Sequence, residues 1–558
     1  MELILALAQM NSHVGHLEGN LHRMLDFARR ARERGAHLVV FPELALPGYP
    51  PEDLLHKPSF LDDLAQAEVA LHAALGRLGI DALYGVARRS GGELKNMAVW
   101  VVEGREVAVA EKWRLPNFAV FDERRWFTPG RECRPHVYRG ISLGATICED
   151  IWHADGPMAA LARQGAACVI NLNASPYQRD KKALRLDLVR RRVAETGVPL
   201  VYVNCVGGQD ELVFDGGSFC LEADPGAEPL RGRFFAEELS LVRVVRGGAG
   251  IRFEPLPPEP GDPAGLAWRE LDDMREIHGA LCLGLADYVA KNGFSGVVLG
   301  LSGGIDSALS AAIAVDALGP KRVRALMMPS EYTSRESLED AARCARNLGI
   351  RLDEVPIGPM QHAFRQALTP LLGGAPVAVT DENIQPRVRA TLLMALSNHG
   401  GDMLLTTGNK SEMSVGYATL YGDMAGGFSV LKDLLKMTVF QLSEAMNQWA
   451  VAAGRALPIP RRILEKPPSA ELRPNQRDSD SLPPYPVLDQ ILHLYVEQDL
   501  GLREIVATGL DRDLVARVIR MVDRNEYKRR QSPPGVRITG RAFGKDRRYP
   551  LTNGFQVR

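Results

Sequence analysis

The stretch that decides the fold reads Val297-Val-Leu-Gly-Leu-Ser-Gly-Gly-Ile-Asp-Ser307. Its first three residues are typical of a buried strand, and the apolar, alanine-rich residues that follow it (308–318) favour a helix. The glycines between them allow the backbone to approach a ligand closely. Backbone N–H groups and the positive end of the helix dipole then face one point. That arrangement suits an anion such as phosphate.

The side chains of this loop extend the prediction from an anion to a nucleotide. Two serines, Ser302 and Ser307, add hydroxyl donors, and the carboxylate of Asp306 suits Mg²⁺. A Walker loop would require a lysine after its last glycine, and none is present. The loop resembles instead the pyrophosphate loop of ligases that adenylate a substrate with ATP. A plain strand-to-helix turn is the alternative interpretation.

Strands and helices alternate on the carboxyl side of position 268. Strands are predicted at 296–301, 323–328, 351–357 and 403–407, and helices at 306–318 and 334–348. Strands separated by helices of this length predict a doubly wound, parallel, Rossmann-like sheet with its ligand at the carboxyl ends of the strands. The resemblance of the loop at 300–307 to that of the adenylating ligases implies that the domain over 268–558 is of the ATP-pyrophosphatase type.

The N-terminal half also alternates between β-rich runs and amphipathic helices. Strands are predicted at 38–41, 141–147, 168–173 and 200–206, with a hairpin that turns at Glu103-Gly104. At 558 residues the chain is too long for one core. We predict a first domain over 1–250 and, because residues 251–267 are rich in proline and glycine, an interdomain linker there.

Composition restricts the class of protein. With 46% hydrophobic residues, 24% charged residues and a net charge of −1, the chain is typical of a soluble globular protein, without the basic excess of a nucleic-acid-binding protein. The basic residues at 528–548 carry no known nucleic-acid motif, which favours a solvated or subunit-contacting surface, Lys528 excepted. The sequence shows neither a basic leader nor an apolar stretch of transmembrane length, so we predict a cytoplasmic protein without membrane contact. Seven scattered cysteines without Cys-x-x-Cys spacing predict free thiols.

A second chemistry is predicted from three residues that each follow an apolar run. They are Glu43, Lys112 and Cys148. A carboxylate can remove the proton of a thiol, and an ammonium can stabilise the thiolate or an oxyanion. Lowering the thiol pKa by one unit needs only about 1.4 kcal/mol, so we expect Lys112 to favour the thiolate. Each residue alone also fits a structural role, and spacing along the chain does not prove that the three meet.

The segments at 46–55, 115–123 and 173–177 resemble the glutaminase branch of the nitrilase (carbon–nitrogen hydrolase) superfamily. The resemblance implies an α-β-β-α sandwich that opens amides through a thioester. It also implies that Glu43 is the base, Cys148 the nucleophile and Lys112 the electrostatic stabiliser. By the same resemblance, glutamine is contacted by residues at the positions of Phe118, Ser175 and Lys181. Position 118 usually carries tyrosine in that branch, so a contact through its hydroxyl is absent here.

The segments at 382–385, 406–412, 415–423, 432–433 and 526–531 extend a resemblance over nearly the whole chain, to the glutamine-dependent NAD⁺ synthetases. The family implies that ATP is bound by Gly300, Leu301, Ser302, Gly303, Gly304, Ile305, Asp306, Ser307 and Thr407. It implies that deamido-NAD⁺ is bound by Asn383, Glu412 and Lys528, and Mg²⁺ by Asp306 and Glu412. From the residues alone, 406–423 is expected to be a long functional loop.

The implied function is the ATP-dependent amidation of deamido-NAD⁺ through an adenylated intermediate. Ammonia released from L-glutamine would pass between the domains, and the products would be NAD⁺, AMP, pyrophosphate and L-glutamate. A homo-oligomer with these small-molecule substrates and no nucleic-acid partner is expected. Three alternatives stay open at this point: a different acceptor for the same ligase chemistry, a non-hydrolytic N-terminal half with free ammonia as the donor, and an amide or nitrile hydrolase fused to a nucleotide sensor.

Overall fold

The computed structural model describes residues 2–224, 226–247, 250–258, 271–376 and 379–555. The chain divides into two compact units, Met1–Leu271 and Asp272–Arg558. Within the described residues, no helix is both long enough and apolar enough to cross a membrane. All seven cysteines are free thiols, as predicted.

Fifteen strands and four α-helices build the N-terminal unit as it is described. The strands are β1 (Glu2–Gln9), β2 (Leu38–Val40), β3 (Asp81–Ser90), β4 (Glu93–Val102), β5 (Arg105–Glu111), β6 (His136–Tyr138), β7 (Ile141–Ile147), β8 (Cys168–Asn173), β9 (Leu200–Asn204), β10 (Val206–Gln209), β11 (Leu212–Asp215), β12 (Phe219–Leu221), β13 (Leu230–Arg231), β14 (Glu238–Gly247) and β15 (Gly250–Pro255). The helices are α1 (Leu17–Glu33), α2 (Pro58–Leu78), α3 (Pro157–Arg163) and α4 (Lys181–Thr196).

Most of these strands form two sheets that pack face to face. The seven-stranded sheet has the order β15-β14-β1-β2-β3-β4-β5, and the six-stranded sheet has the order β13-β12-β9-β8-β7-β6. Alternate residues such as Leu3 and Leu5 of β1 share a buried cluster with Ile170 and Leu172 of β8. Helices α1 and α2 cover the outer face of the first sheet, and α3 and α4 cover that of the second. The predicted α-β-β-α sandwich is therefore confirmed.

The start of the predicted linker 251–267 is a strand. Residues up to Pro255 belong to β15, which pairs antiparallel with β14 at the edge of the seven-stranded sheet. Ile251 and Phe253 point into the inter-sheet core, and this burial outweighs the proline and glycine content on which the linker prediction rested. Residues 259–267 of the predicted linker lie outside the described residues.

The described part of the C-terminal unit contains one parallel sheet. Its strands are β16 (Val297–Gly300), β17 (Val323–Met327), β18 (Arg351–Glu354), β19 (Met403–Thr406) and β20 (Phe428–Ser429), in the order β18-β17-β16-β19-β20. The helices are α5 (Asp273–Lys291), α6 (Ile305–Leu318), α7 (Arg335–Leu348), α8 (Gly358–Leu372), α9 (Val379–Gly400), α10 (Lys410–Val415), α11 (Lys436–Ala452), α12 (Arg461–Glu465), α13 (Tyr485–Leu492), α14 (Leu502–Val506), α15 (Arg512–Arg524) and α16 (Glu526–Arg529).

Strand β16 lies at the centre of this sheet, with every pairing between neighbouring strands parallel. Helix α9 covers one face, where Ile384 and Val388 pack on Val298, Leu326 and Leu404. Helix α6, which leaves the carboxyl end of β16, contacts both β16 and β17. The doubly wound parallel sheet predicted from the sequence is confirmed, and the loop at 300–307 lies at its carboxyl edge.

The basic residues near the C-terminus do not all lie on the surface, so that prediction was wrong in part. Arg529 and Arg547 are buried and both bond Glu526, at 2.8 and 2.9 Å. Arg537 is also buried and pairs with Asp546 at 2.6 Å. Carboxylates supplied by the same segment neutralise these guanidinium groups, which permits their burial.

Candidate active sites

Glu43, Lys112 and Cys148 come together in the N-terminal unit. Glu43 and Lys112 follow β2 and β5 of the seven-stranded sheet, whereas Cys148 directly follows β7 of the six-stranded sheet. Lys112 Nζ lies 2.7 Å from Glu43 Oε1, and each of the two residues is 1% exposed. Both charges also act on the buried Cys148 thiol. Glu43 is anchored further, because Oε1 accepts from Asn96 Nδ2 at 2.7 Å and Oε2 from the backbone N–H of Ala174 at 3.0 Å.

The protonation of Cys148 differs from the expectation that Lys112 favours the thiolate. Burial raises the pKa of this thiol well above its ordinary value, and the charge of Glu43 raises it further. Lys112 opposes this shift without reversing it, because desolvation disfavours the thiolate more strongly. The resting sulfur is therefore protonated and needs a base as it attacks.

Backbone geometry also distinguishes Cys148. Its φ of +43° is in the left-handed region, which costs a non-glycine residue of the order of 1–3 kcal/mol. The residue opens a short 3₁₀ turn, Cys148–Trp152, directly after β7. Strain of this kind persists only where the surrounding structure maintains it. Here the strained backbone places the Cys148 sulfur at a sharp turn between strand and helix.

Glu123 is a second carboxylate at this site, and the sequence analysis assigned it no role. Its Oε1 lies 2.8 Å from Lys112 Nζ and accepts from Tyr49 OH at 2.9 Å. Burial raises the pKa of Glu123 to about 7, although Lys112 opposes the shift. Burial lowers the pKa of Lys112, but Glu123 and Glu43 more than offset this, and the net shift is upward. Lys112 is therefore held as an ammonium between two carboxylates.

The residues expected to contact glutamine lie around Phe121 and the segment that follows β8. Ser175 is buried, two residues beyond the end of β8. Lys181 begins α4, and its Nζ donates to Pro176 O at 3.2 Å and lies 5.9 Å from the ring centroid of Phe121. Phe118 lies 5.8 Å from Phe121 between ring centroids and is 57% exposed. The structure thus brings Phe118 and Lys181 to the Phe121 ring, and it places Ser175 on the segment that follows β8.

A cavity of about 300 Å³ lies within the C-terminal unit. Its walls are the loop 300–307, the residues 327–329 at the carboxyl end of β17, the residues 406–408 at the carboxyl end of β19, and the segment 466–472. All nine residues expected to bind ATP line it, including Thr407. The size suits a small-molecule ligand, and the position is the one expected for a doubly wound sheet.

Hydrogen bonds between its own residues fix the conformation of the glycine loop. The backbone N–H of Ser302 donates to Ser307 Oγ at 3.2 Å, and that of Gly304 donates to Ser302 Oγ at 3.2 Å. Gly303 has a φ of +79°, and a Cβ on it would lie 2.2 Å from the carbonyl oxygen of Ser337. The sharp turn therefore requires glycine at 303 on both conformational and steric grounds.

Asp306 and Glu412 both form ion pairs with Lys436. No sequence pattern had indicated a role for this lysine. Lys436 Nζ lies 2.5 Å from Asp306 Oδ2 and 3.0 Å from Glu412 Oε1. Burial lowers the pKa of Lys436, but Asp306 and Glu412 outweigh it and raise the pKa overall. Burial raises the pKa of Glu412 to about 7. Contrary to the expected loop, residues 410–415 form helix α10, whose N-cap Asn409 also donates to Asp306 Oδ1 at 2.8 Å.

These two carboxylates fit the donor set that Mg²⁺ requires. They converge on a single cation, and Mg²⁺ is commonly held by one or two carboxylates together with substrate phosphates and water. No group of three or more His, Cys, Asp or Glu side chains suited to a metal occurs among the residues that the structure describes. A magnesium ion held by these two carboxylates would complete its coordination with phosphate oxygens and water.

Asn383 and Lys528 lie behind one wall of the cavity and do not line it. Asn383 Oδ1 accepts from Thr419 Oγ1 at 2.8 Å, and Lys528 Nζ donates to the carbonyl oxygens of Gly416 and Ala418, both at 2.8 Å. Asp423, which does line the cavity, accepts from the backbone N–H of Thr419 at 2.7 Å. Both predicted residues thus support the segment at 416–423.

Comparison with known proteins agrees with this two-site arrangement. The carbon-nitrogen hydrolase family model matches residues 4–227, and the NAD synthase model matches residues 277–532. The glutamine-dependent NAD(+) synthetase of Acinetobacter baylyi is 44% identical over 553 residues, which cover 99% of this chain and 98% of the relative. The chain belongs to the glutamine-dependent NAD(+) synthetases.

Other glutamine-dependent NAD(+) synthetases match over a similar span. That of Rhodobacter capsulatus is 47% identical and covered over 98% of both chains. A solved structure from Acinetobacter baumannii, in complex with ADP, is 41% identical, with a TM-score of 0.77 and full coverage of both chains. The Cytophaga hutchinsonii enzyme is 21% identical and shares the fold, with a TM-score of 0.81 over 99% of this chain and 98% of its own. The chain is therefore a ligase of NAD biosynthesis with a glutaminase domain and an NAD synthase domain.

Proposed function

We propose that Cys148 releases ammonia from L-glutamine and that the cavity at the glycine loop adenylates deamido-NAD⁺. The observation that carries the first half is the buried contact of 2.7 Å between Lys112 and Glu43 beside the Cys148 thiol. A base, a cation and a nucleophile in one desolvated place are the groups that amide cleavage through a thioester needs.

The glutaminase half-reaction follows from the protonation states. Glu43 accepts the thiol proton as the sulfur of Cys148 attacks the carboxamide carbon, because the raised pKa of the thiol excludes a standing thiolate. Lys112, held as an ammonium, stabilises the tetrahedral oxyanion. Glu43 then returns the proton to the departing ammonia, and the thioester forms. Water, deprotonated by Glu43, cleaves it to L-glutamate, and Cys148 recovers its proton.

Glutamine recognition is assigned to Phe118 and Lys181, beside the Phe121 ring, and to Ser175 after β8. Lys181 supplies a cation for the substrate's α-carboxylate, and Ser175 supplies a hydroxyl beside the segment whose Ala174 N–H bonds Glu43. Phe118 offers only an apolar edge, since it has no hydroxyl. Recognition and chemistry therefore share the segment that follows β8.

In the synthetase half-reaction the nicotinate carboxylate of deamido-NAD⁺ attacks the α-phosphate of ATP, and pyrophosphate leaves. Amides and hydroxyls of the loop 300–307, with Thr407, bind the phosphates, and Lys436 adds a positive charge at the same cavity. Asp306 and Glu412 would hold Mg²⁺, which would neutralise phosphate charge when bound. Glu412 lines this cavity and is assigned to deamido-NAD⁺, whereas Asn383 and Lys528 would act on that substrate through the segment 416–423, which they support. Ammonia then attacks the acyl adenylate, giving NAD⁺ and AMP.

Ammonia has to arrive unprotonated, because ammonium has no lone pair with which to attack. In neutral water most ammonia is protonated, so we propose that it passes from the first site to the second without release to bulk solvent. A cytoplasmic, homo-oligomeric enzyme belongs to the same proposal.

Replacement of Cys148 by alanine tests the assignment. With Cys148→Ala, we expect NAD⁺ formation from glutamine to be lost and formation from ammonium salt to survive. The companion variant Asp306→Ala should abolish both, because adenylation precedes either nitrogen source. Glutamine-driven synthesis that persists in Cys148→Ala would show that the N-terminal unit is not the glutaminase proposed here.

A further inference from the structure

Asp150 bonds the backbone on both sides of the glutaminase site. It lies two residues after Cys148 and is 1% exposed. Its Oδ1 accepts from the backbone N–H groups of Trp113 and Arg114, both at 2.9 Å. Its Oδ2 accepts from the backbone N–H of Ile147 at 3.0 Å. Trp113 directly follows Lys112 and Ile147 directly precedes Cys148, so one carboxylate joins the segments that carry the cation and the nucleophile.

These two segments belong to different sheets. Lys112 follows β5 of the seven-stranded sheet, and Cys148 follows β7 of the six-stranded sheet. The sheets meet through apolar side chains, whose contacts are non-directional. Hydrogen bonds from amides to a carboxylate are directional and are roughly twice as strong as neutral ones. They fix the position of the ammonium relative to the sulfur in a way that apolar packing does not.

We propose that Asp150 is a positioning residue for glutamine hydrolysis, which sets the distance between the Lys112 ammonium and the Cys148 sulfur. The inference rests on the proposed roles of Lys112 and Cys148. Asp150 itself touches backbone amides and no reacting atom. Its loss should therefore reduce the rate of the chemical step and leave glutamine binding intact, since transition-state stabilisation depends on where the cation lies.

The ionisation of Asp150 sets the conditions of the test. Burial raises the pKa of Asp150 to about 7, while the hydrogen bonds from the amides of Arg114 and Ile147 oppose the shift, as does the charge of Lys112. Burial raises the pKa of the nearby Cys133 thiol, and the charge of Asp150 raises it further. Assays at pH 8 compare variants with the ionised, threefold-bonded form of the wild type.

The test is Asp150→Asn in the full-length enzyme, with Asp155→Asn as the matched control. Asp155 contacts the same Arg114, through the guanidinium at 2.8 Å, but its side chain is 81% exposed. In D150N we expect kcat for glutamine-driven NAD⁺ formation to fall by about tenfold to a hundredfold. KM for glutamine should stay within about twofold, and ammonium-driven synthesis should be unchanged. D155N should match the wild type throughout.

The rate at which iodoacetamide alkylates Cys148 is a second measurement. It separates a positioning role from a general loss of stability, which would not slow alkylation. Displacement of Lys112 raises the thiol pKa, so the alkylation rate of the folded D150N enzyme at pH 8 should fall several-fold. Wild-type kcat and alkylation in D150N would overturn the inference, and so would a rise in KM at constant kcat. If D150N does not fold, D150E keeps the charge on a longer arm, and a wild-type kcat there overturns the inference equally.

This inference and the proposed function fail in different experiments. Glutamine-driven synthesis that survives Cys148→Ala removes the glutaminase assignment and the role of Asp150 with it. A wild-type result in D150N, together with loss of activity in Cys148→Ala, removes only the positioning role.

Discussion

Substitution of Gly303 by alanine perturbs the nucleotide loop at one backbone position. The φ of Gly303 is +79°, a conformation that costs an L-residue roughly 1–2 kcal/mol. The new Cβ would lie 2.2 Å from Ser337 O, where ordinary contact begins at 3.4 Å. Either the loop or the start of α7 must move by about 1 Å, since neither partner is a flexible side-chain end. Overpacking of this kind costs a further ~1–3 kcal/mol.

A displacement of about 1 Å at a site that positions reacting groups can reduce the rate about a hundredfold. In Gly303→Ala we therefore expect NAD⁺ formation to fall about a hundredfold with glutamine and with ammonium salt alike. Glutamate release by the N-terminal unit should persist. Initial rates of NAD⁺ and glutamate formation, measured on the same preparation, separate the two effects.

Two other glycines serve as controls. At Gly374 an added Cβ meets nothing within 4 Å, and the residue lies outside the cavity lining, so Gly374→Ala should behave as the wild type. At Gly300 the added Cβ meets side-chain ends alone, Met328 Cε at 3.3 Å and Leu393 Cδ1 at 3.6 Å, so a smaller loss is expected. If Gly303→Ala kept more than half of the wild-type synthetase rate, the steric argument and the placement of ATP at this loop would both be refuted.

Three further predictions concern charge and recognition. Lys112→Met leaves Glu43 and Glu123 buried without their cation, so we expect a loss of about 3–5 kcal/mol in unfolding free energy, measured by urea denaturation, and loss of glutamine-driven synthesis only. Because burial raises the pKa of Glu412 to about 7, its carboxylate is protonated as the pH falls through 7. At constant free ammonia, kcat/KM for ATP should therefore decrease below pH 7, and a flat profile from pH 6 to 8 would contradict the role of Glu412. Phe118→Tyr restores a hydroxyl to a ring that is 57% exposed, and a new hydrogen bond of about 1 kcal/mol should lower KM for glutamine about fivefold, with ammonium-driven kinetics unchanged.

The fold was largely predictable because its signals are local. The apolar run before Gly300 and the alanine-rich residues after Ser307 specify a strand and a helix whatever surrounds them. The strands at 141–147 and 168–173 were predicted to the residue, because β-branched apolar runs bounded by turns strongly favour the strand conformation. The linker prediction failed at 251–255 because composition alone does not reveal that a neighbouring strand has a free edge.

The candidate sites were predictable only in part. Glu43, Lys112 and Cys148 follow separate strands, and their assignment relied on a family resemblance together with residue type. Lys436 escaped notice because it lies 130 residues from Asp306 along the chain and opens a helix with no distinctive motif. Glu123 stood within the segment 115–123 and Asp150 lies two residues after Cys148, but their roles depend on which buried atoms they face.

By itself, the amino-acid sequence determined the order of strands and helices, the glycine turn at 303 and the residue types available for two chemistries. Only the tertiary structure decided which charges meet. It placed Lys112 between two carboxylates and bonded Asp150 to the segments that carry Lys112 and Cys148. It also raised the pKa of Cys148, against the expectation from the nearby lysine. The reason is physical: chain geometry is set by neighbours in sequence, whereas desolvation and Coulomb interactions depend on distances in space.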